Sequence, residues 1–576
     1  MKKLLIILSA LLLTSTLFAQ KLLLDGIYYQ IKSDSVVHVI RGNQAYTGHL
    51  VVPSTIDYNG NTYVVSAVAG AAFRNNRSLR SVVLPESVQS IGNNAFSGCR
   101  GLRQITIPAS VSSVGRNAFE NCTSLQKVYL PDAVTVLRDK VFSGCSALHY
   151  VRLSTHIDSI GADAFLACSA LDTTDYGGGL MEWCDIEFAN PASNPASVSR
   201  HLLLNGEELV DLITPDSLVE IKNYTFTSFS SLRSVVLSEG VTRVGEGAFS
   251  ACDSLMSLDI PSTLEHVGAD AFAGDLALQS VTLHAVSLEA YCQSSINKHL
   301  KNAGVEATRR LMIDTLDITD VVIPDSVTTI PDHLFYAFRT LTSVIVPEHV
   351  SQMGDAVFAE CSALHTVQLP QTMKRLGDYL FRNCSSLQQV AIPTTVTEIG
   401  RYTFAGSAVQ PVLSLPEGVK SIGAFAFAHC SMLSELHIPL TVKHIGQEAF
   451  VGTPWYDAQP AGVVYINNIL YSYKGEMPMG TVLQIKPGTS VINPMAFRHC
   501  TTLRRVYIPF SVNTIGAAAF EGCTVLDSLD IPSSVRVIGD MAFAYCDSLR
   551  VLNCFESISQ LMVRIGNAQQ LHTGSG

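Results

Sequence analysis

A phenylalanine returns every 23 residues along most of this chain. Phe73, Phe96, Phe119, Phe142 and Phe165 keep that interval, and it resumes at Phe226, Phe249 and Phe272. It returns at Phe335, Phe358, Phe381, Phe404, Phe427 and Phe450, and again at Phe497, Phe520 and Phe543, using 17 of the 24 phenylalanines. A repeat between 20 and 50 residues long describes an array whose units bury their apolar faces only against their neighbours. The 576 residues therefore do not divide into three or four globules, as length at about 150 residues per domain would suggest.

The stretch Val88 to Val111 shows how one unit is built. Its apolar positions are Val88, Ile91, Ala95, Phe96, Cys99, Leu102, Ile105 and Ile107. Steps of three and four up to Leu102 predict a short helical turn over Ala95–Phe96–x–x–Cys99. The step then falls to two at Ile105 and Ile107, which predicts a strand. Eleven units place proline 12 residues after the phenylalanine, as at Pro85, Pro108 and Pro532, where the missing N–H ends the strand. Twelve units place glycine four residues before it, as at Gly92, Gly115 and Gly161, where a tight corner is expected to exclude a side chain. Stacking such units predicts one continuous, elongated repeat solenoid. A parallel sheet lines one side and short helical turns the other, in about 17 coils that extend roughly 80 Å at the usual strand spacing.

Composition narrows the function classes. Apolar residues make up 47% of the chain and charged residues 15%, which suits a large core and excludes intrinsic disorder. Lysine and arginine number 38 against 49 aspartates and glutamates, a net charge of −11. That balance argues against nucleic acid as the partner and gives no basic stripe for an anionic membrane. Lys2 and Lys3, the apolar run Leu4 to Leu13 and the small residue Ala19 form a signal peptide over 1–19. The first cysteine is Cys99, so no acylatable cysteine follows the cleavage point, and no other stretch is long enough to span a membrane.

The unit Leu-x-x-Ile-x-Ile-Pro-x-Ser-Val-x-x-Ile-Gly-x-x-Ala-Phe-x-x-Cys closely resembles the BspA-like leucine-rich repeats of bacterial exported proteins. Ile399-Gly400, Ile422-Gly423 and Ile515-Gly516 carry its Ile-Gly step, and Ala519-Phe520-x-x-Cys523 its signature. The segment Asp25-Gly26-Ile27-Tyr28-Tyr29 through Tyr63-Val64-Val65 is similar to that family's N-terminal cap of short strands. The resemblance implies a leucine-rich repeat solenoid over residues 63–555 behind a β cap over 20–62. It also implies a secreted or surface-exposed protein, some relatives of which act as adhesins. The segment 556–576 has no wall-sorting motif or further domain, and reads as the end of a released chain or of one cut from a longer natural chain.

Three breaks interrupt the period, over about 172–212, 285–320 and 454–484. Phe165 to Phe226 spans 61 residues, Phe272 to Phe335 spans 63 and Phe450 to Phe497 spans 47. The first two share Leu180-Met181-Glu182-Trp183-Cys184 and Leu288-Glu289-Ala290-Tyr291-Cys292, each leading to a hairpin. The first hairpin pairs Leu202–Leu204 with Leu209-Val210 around Asn205-Gly206, a strong tight-turn signal. The second runs through Leu311–Ile313 and Ile318 to Val321-Val322-Ile323-Pro324, and the third pairs Val463–Ile466 with Ile469–Tyr473. Such insertions either shape a binding face or merely decorate the array.

Eleven of the 14 cysteines sit three residues after a repeat phenylalanine, and Cys184, Cys292 and Cys554 stand apart. Side chains stacked in parallel keep their Cβ atoms near the rung spacing, too far for a disulfide, so a reduced, buried ladder is expected. No Cys-x-x-Cys or His-Glu-x-x-His motif is present, and no metal or cofactor is expected. His437 reads as a sheet-surface residue and His284 as one near a coil corner. No nucleophile–base pair, paired carboxylates or phosphate-binding glycine loop converges, so an enzyme is not expected. A monomeric surface scaffold remains, binding a protein of a host or neighbouring cell, or a polysaccharide, with a purely structural or glycan-associated scaffold as the other reading.

The strand phase places the residues 9 and 11 after the phenylalanine inward and those 8 and 10 after it toward solvent. Most outward positions are bland, such as Ser81 and Val83 or Ser257 and Asp259. Two neighbouring coils instead bring Lys127 and Tyr129 beside Tyr150 and Arg152, and Arg505 with Tyr507 forms a smaller patch. Aromatic residues with arginine dominate interface energies, so these six are the candidate partner-binding residues. Tyrosine pairs also stabilise sheets without any ligand.

Overall fold

The computed structural model describes residues 21–554, except 44, 295, 297–299 and 301–306. The segment 1–19, read as a signal peptide, and the tail 556–576 lie outside the described residues. The chain divides into two compact units, Met1–Ala285 with His299–Ala307, and Val286–Lys298 with Thr308–Gly576. Each unit is built from solenoid coils whose neighbouring strands are parallel and offset by one repeat. Ser81 pairs with Gln104 and Lys127 with Tyr150 in the first unit, and Ser343 with Thr366 and Arg505 with Ser528 in the second. The solenoid has about 20 turns, more than the 17 marked by phenylalanine, because the breaks also supply rungs. In the first break Glu187–Phe188 and Leu202–Leu204 pair in parallel with the preceding coil, although no phenylalanine marks their own.

Short strands upstream of the first coil start the stack. Lys21–Leu24, Ile27–Ser33 and Val36–Val39 form an antiparallel meander, and the last pairs in parallel with Asn61–Val68. Tyr46 joins them to the array: its hydroxyl donates to Ile40 O at 3.0 Å and accepts from Tyr28 N at 3.1 Å. Its ring lies 4.8 Å from that of Phe73, where the phenylalanine stack begins.

Two expectations about the coil need correction. It carries two parallel ladders instead of one sheet. The strands of two to five residues before proline form the first, and two-residue strands such as Ser90–Ile91, Ser113–Val114 and Ser159–Ile160 form the second. The segment around phenylalanine is a tight turn, not a helical one. In all 17 coils the residues two before and two after the phenylalanine have positive φ, as at Asn94 and Gly98 around Phe96, or Tyr379 and Asn383 around Phe381. Two left-handed residues four apart break any α-helix. Their backbone groups bond between coils instead: Phe73 N donates to Ala95 O and Phe96 N to Ala118 O, both at 2.7 Å. The glycine four before phenylalanine owes its place to that close stacking and not to a corner conformation. A Cβ on Gly92 would stand 2.5 Å from Gly70 N, and one on Gly161 would stand 2.6 Å from Asp139 N.

The core follows from this stacking. Phe96, Phe119 and Phe142 are fully buried with rings 5.2 and 5.3 Å apart and nearly parallel. The thirteen cysteines from Cys99 to Cys546 are free. Ten of them point their Sγ at the carbonyl of the phenylalanine 26 residues earlier, for example Cys122 to Phe96 O at 3.2 Å and Cys384 to Phe358 O at 3.0 Å. The thiol is thus a hydrogen-bond donor, and burial pushes the Cys99 pKa up to about 12, which leaves that thiol unreactive.

The same phase makes Asp275 a weak point. Ser407, which replaces cysteine there, donates to Phe381 O and accepts from Cys384 N at 3.1 Å. Asp275 accepts from Cys252 N at 2.8 Å, but its buried Oδ2 has no hydrogen-bond partner. Desolvation raises its pKa to about 8, far above the unfolded value of about 4. The folded state therefore holds this proton more tightly. Its stabilising share is complete below about pH 4 and is lost as the pH rises toward 8. Asp275→Ser is expected to raise the melting temperature more at pH 8 than at pH 5, and an equal shift at both would contradict this account.

The breaks repair the ladders they interrupt. In regular coils the carbonyl just before phenylalanine accepts from the phenylalanine amide of the previous coil. Thr225 and Leu334 hold that position before Phe226 and Phe335. Thr225 O accepts from Trp183 Nε1 at 3.2 Å, and Leu334 O from the Tyr291 hydroxyl at 2.6 Å. Each aromatic sits on a short helix, Leu180–Cys184 or Leu288–Gln293, and the buried rings fill the core. At the third break the Tyr471 hydroxyl accepts from Phe450 N at 2.9 Å. The predicted hairpins form: Leu209 N donates to Leu202 O at 3.0 Å in the first, Ile318 N to Leu311 O at 2.8 Å in the second, and Val463 pairs with Tyr473 in the third. Leu203 and Leu204 pair with Glu208 and Glu207, while Met312 and Ile313 pair with Asp317 and Leu316. Val321 and Val322 belong to a new strand that pairs with Ser343–Ile345. His284 also differs: it lies within the strand Ser280–Ala285, with Nε2 2.6 Å from Asp259 Oδ1. His437 lies at the exposed end of Glu435–His437, 3.0 Å from Glu435.

Candidate binding surface on the sheet

Lys127–Tyr129 and Tyr150–Leu153 are adjacent parallel strands, with Lys127 opposite Tyr150 and Tyr129 opposite Arg152. Val128, Leu130, Val151 and Leu153 are buried, so alternation turns Lys127, Tyr129 and Arg152 outward. The Tyr129 and Tyr150 rings lie 5.4 Å apart, and Lys127 Nζ is 5.9 Å from the centre of the Tyr150 ring. All four residues singled out in the sequence on these coils therefore form one cluster.

Their environments differ. The Tyr150 hydroxyl donates to Asp175 Oδ2 at 2.6 Å, and Arg152 Nε lies 3.8 Å from the same oxygen. Partial burial first, and then the bond to Asp175, push the Tyr150 pKa up, so its hydroxyl stays protonated and keeps donating. Tyr150 and Arg152 are thus fixed from one coil further along. Asp175 was missed in the sequence; the signal was its place 23 residues after Arg152, opposite it in the register. Tyr129 is 54% exposed and has no such tether. It borders a groove of about 510 Å³ on the same face, whose other polar lining is Arg103, Gln104, Thr106, Gln126 and Lys127 over a floor of Ile105 and Ile107.

Arg505 and Tyr507 belong to the other unit. They share the strand Leu503–Tyr507, and Arg505 Nη1 lies 3.5 Å from the Tyr507 hydroxyl. Arg505 Nε also donates to Ser528 at 2.8 Å, while Arg504 holds Asp527 at 3.0 Å. The hydrogen bond from Arg504 holds the Asp527 carboxyl below the usual range. Tyr507 is 44% exposed. This unit has its own groove of about 550 Å³ on the sheet face, lined by Ser343, Ile345, Thr366, Gln368, Ala391 and Gln410 among others.

Among the described residues no group of three or more histidine, cysteine or acidic side chains is arranged to hold a metal ion. No described helix is long and apolar enough to cross a membrane.

Comparison with known proteins follows this geometry. The family model of the BspA type leucine rich repeat region matches residues 67–195, 196–302, 313–412, 411–473 and 471–566. Among solved structures, a leucine-rich repeat protein from Bacteroides ovatus is 22% identical, covering 75% of this chain and 92% of its own, with a TM-score of 0.34. A leucine rich cell surface protein from Faecalibacterium prausnitzii is 18% identical over 97% of this chain and 98% of its own, with a TM-score of 0.24. The pneumococcal vaccine antigen PcpA is 13% identical over 86% and 93%, with a TM-score of 0.23. The search of curated proteins gave no match. With family repeats matched over most of its length and the 23-residue coil realised in both units, the chain belongs to the BspA-type leucine-rich repeat family.

Proposed function

We propose that this protein is an exported, surface-associated scaffold without enzymatic activity, whose sheet face binds a macromolecular partner, a protein or a polysaccharide. The observation that carries the reading is the cluster of Lys127, Tyr129, Tyr150 and Arg152 on a face whose other outward positions are mostly small or uncharged. Export rests on the signal peptide read at Lys2 to Ala19. Repeat solenoids offer extended surfaces whose residues vary without disturbing the core, which suits recognition. The smaller Arg505–Tyr507 pair is a second contact point on the other unit. One observation favours the structural alternative for part of the cluster: Tyr150 and Arg152 are both committed to Asp175.

The test is a double change, Tyr129→Ala with Arg152→Ala, measured against panels of purified extracellular proteins and purified polysaccharides. Binding by at least one member, weakened about tenfold or more in the double variant with little change in melting temperature, is the expected result. Unchanged affinity with a lowered melting temperature would assign the cluster to the fold alone.

A further inference from the structure

Local charge on the first coils runs against that of the whole chain. Between residues 70 and 130 there are seven lysines and arginines but only two glutamates, whereas the chain as a whole carries −11. Two of these cations also share one phase on adjacent coils. Several arginines face an acid one repeat away: Arg116 with Asp139 at 3.2 Å, Arg243 with Glu220 at 3.4 Å, Arg498 with Glu521 at 2.9 Å and Arg504 with Asp527 at 3.0 Å. Arg80 and Arg103 instead occupy the same phase of adjacent coils, with Arg103 N donating to Arg80 O at 2.9 Å. Both side chains are exposed, and neither forms an ion pair among the described residues. Like charges on neighbouring rungs repel, so this column is unfavourable until an anion screens it.

The groove beside Tyr129 extends this column. Its lining holds two cations, Arg103 and Lys127, and no acid. The remaining polar groups are the amides of Gln104 and Gln126, the hydroxyl of Thr106 and the exposed Tyr129. Amides and hydroxyls both donate and accept, as a polyol requires, and the volume falls in the range of small-ligand sites. A flat aromatic ring offers a stacking face for the C–H side of a sugar. An acidic peptide brings carboxylates but few hydroxyls for the amides, and a nucleic-acid strand is held by a series of aromatic platforms where this groove has one.

We propose that the groove binds an anionic oligosaccharide, with its carboxylate or sulfate groups held by Arg80, Arg103 and Lys127 and a sugar ring laid against Tyr129. This rests on the sheet face being the binding surface and names the ligand class for it. The experiment is isothermal titration of the purified protein with a hexagalacturonate and a heparin hexasaccharide, which separate carboxylate from sulfate. Cellohexaose, hexaglutamate and hexathymidylate serve as the neutral, peptide and nucleic-acid comparators. At least one acidic saccharide is expected to bind at least about tenfold more tightly than all three comparators. The affinity is expected to fall about tenfold or more in Arg103→Gln/Lys127→Ser, and in Tyr129→Ser. Glutamine occupies the first phase in the next coil, at Gln126, and serine the second phase two coils earlier, at Ser81, so the double variant is expected to melt with the wild type. Binding of neither acidic saccharide, equal binding of hexaglutamate or hexathymidylate, or unchanged affinity in both variants would overturn the assignment. If the acidic saccharides fail while Tyr129→Ala/Arg152→Ala still abolishes binding of a panel protein, only the ligand class is wrong. If that double variant also leaves every interaction intact, the surface reading fails with it.

Discussion

Replacing Phe381 by alanine is expected to destabilise the protein by about 3–5 kcal/mol, measured as a lowered denaturant midpoint of the transition that reports its coils. Its side chain is fully buried. The ring is stacked between Phe358 at 5.6 Å and Phe404 at 5.4 Å, so truncation opens a cavity bounded by two rigid neighbours that cannot collapse into it. The backbone there is equally committed. Phe381 N donates to Thr403 O at 2.7 Å, and Phe381 O accepts from the Ser407 hydroxyl. Because each coil contacts only its neighbours, the loss should weaken adjacent interfaces before the rest of the array. A variant with an unchanged midpoint would show that the phenylalanine stack is not the core.

Trp183→Ala is expected to have an effect of similar size for two separable reasons. It removes a fully buried indole packed 5.5 Å from Tyr176 and 5.4 Å from Phe188, a loss of about 3–5 kcal/mol. It also removes one of the two donors to the Thr225 carbonyl, the other being Asn194 Nδ2 at 3.0 Å, which costs about 0.5–1.5 kcal/mol for the lost hydrogen bond. Trp183→Phe keeps most of the ring and isolates the second contribution. If Trp183→Ala proved neutral, the first break would be a decoration of the array; the geometry makes it a joint instead. Tyr291→Phe tests the second break in the same way, through the carbonyl of Leu334.

Much of this was legible in the sequence because one interval governs it. A spacing of 23 fixes which strands are neighbours, and the step of two within each strand fixes which side chains face out. Together they placed Lys127 opposite Tyr150 and Tyr129 opposite Arg152 before any coordinates. The turn was misread for a physical reason. Apolar steps of three and four are the mark of a helix, yet a tight turn with left-handed residues on both sides of Phe96 buries the same positions. The glycine was placed correctly but explained wrongly, since the constraint lies in the backbone of the previous coil and not in its own dihedrals. Partners at irregular spacing were out of reach: nothing in the repeat links Trp183 to Thr225, 42 residues away across a break. Net charge misled in another way. The total of −11 conceals the basic segment around Arg80, Arg103 and Lys127, so the absence of a basic stripe held for the sum and not for the first coils.

The central claim is that partners engage the sheet face of the early coils, and side-chain footprinting by hydroxyl radicals tests it most directly. Tyr129, 54% exposed on the sheet, and Tyr545, 65% exposed on a turn two residues after Phe543, are both expected to react in the free protein. With the tightest-binding member of the protein and polysaccharide panels bound, the account predicts that Tyr129 becomes protected while Tyr545 keeps its reactivity. Protection confined to the turns or to the hairpins at the breaks, with Tyr129 still fully reactive, would contradict it.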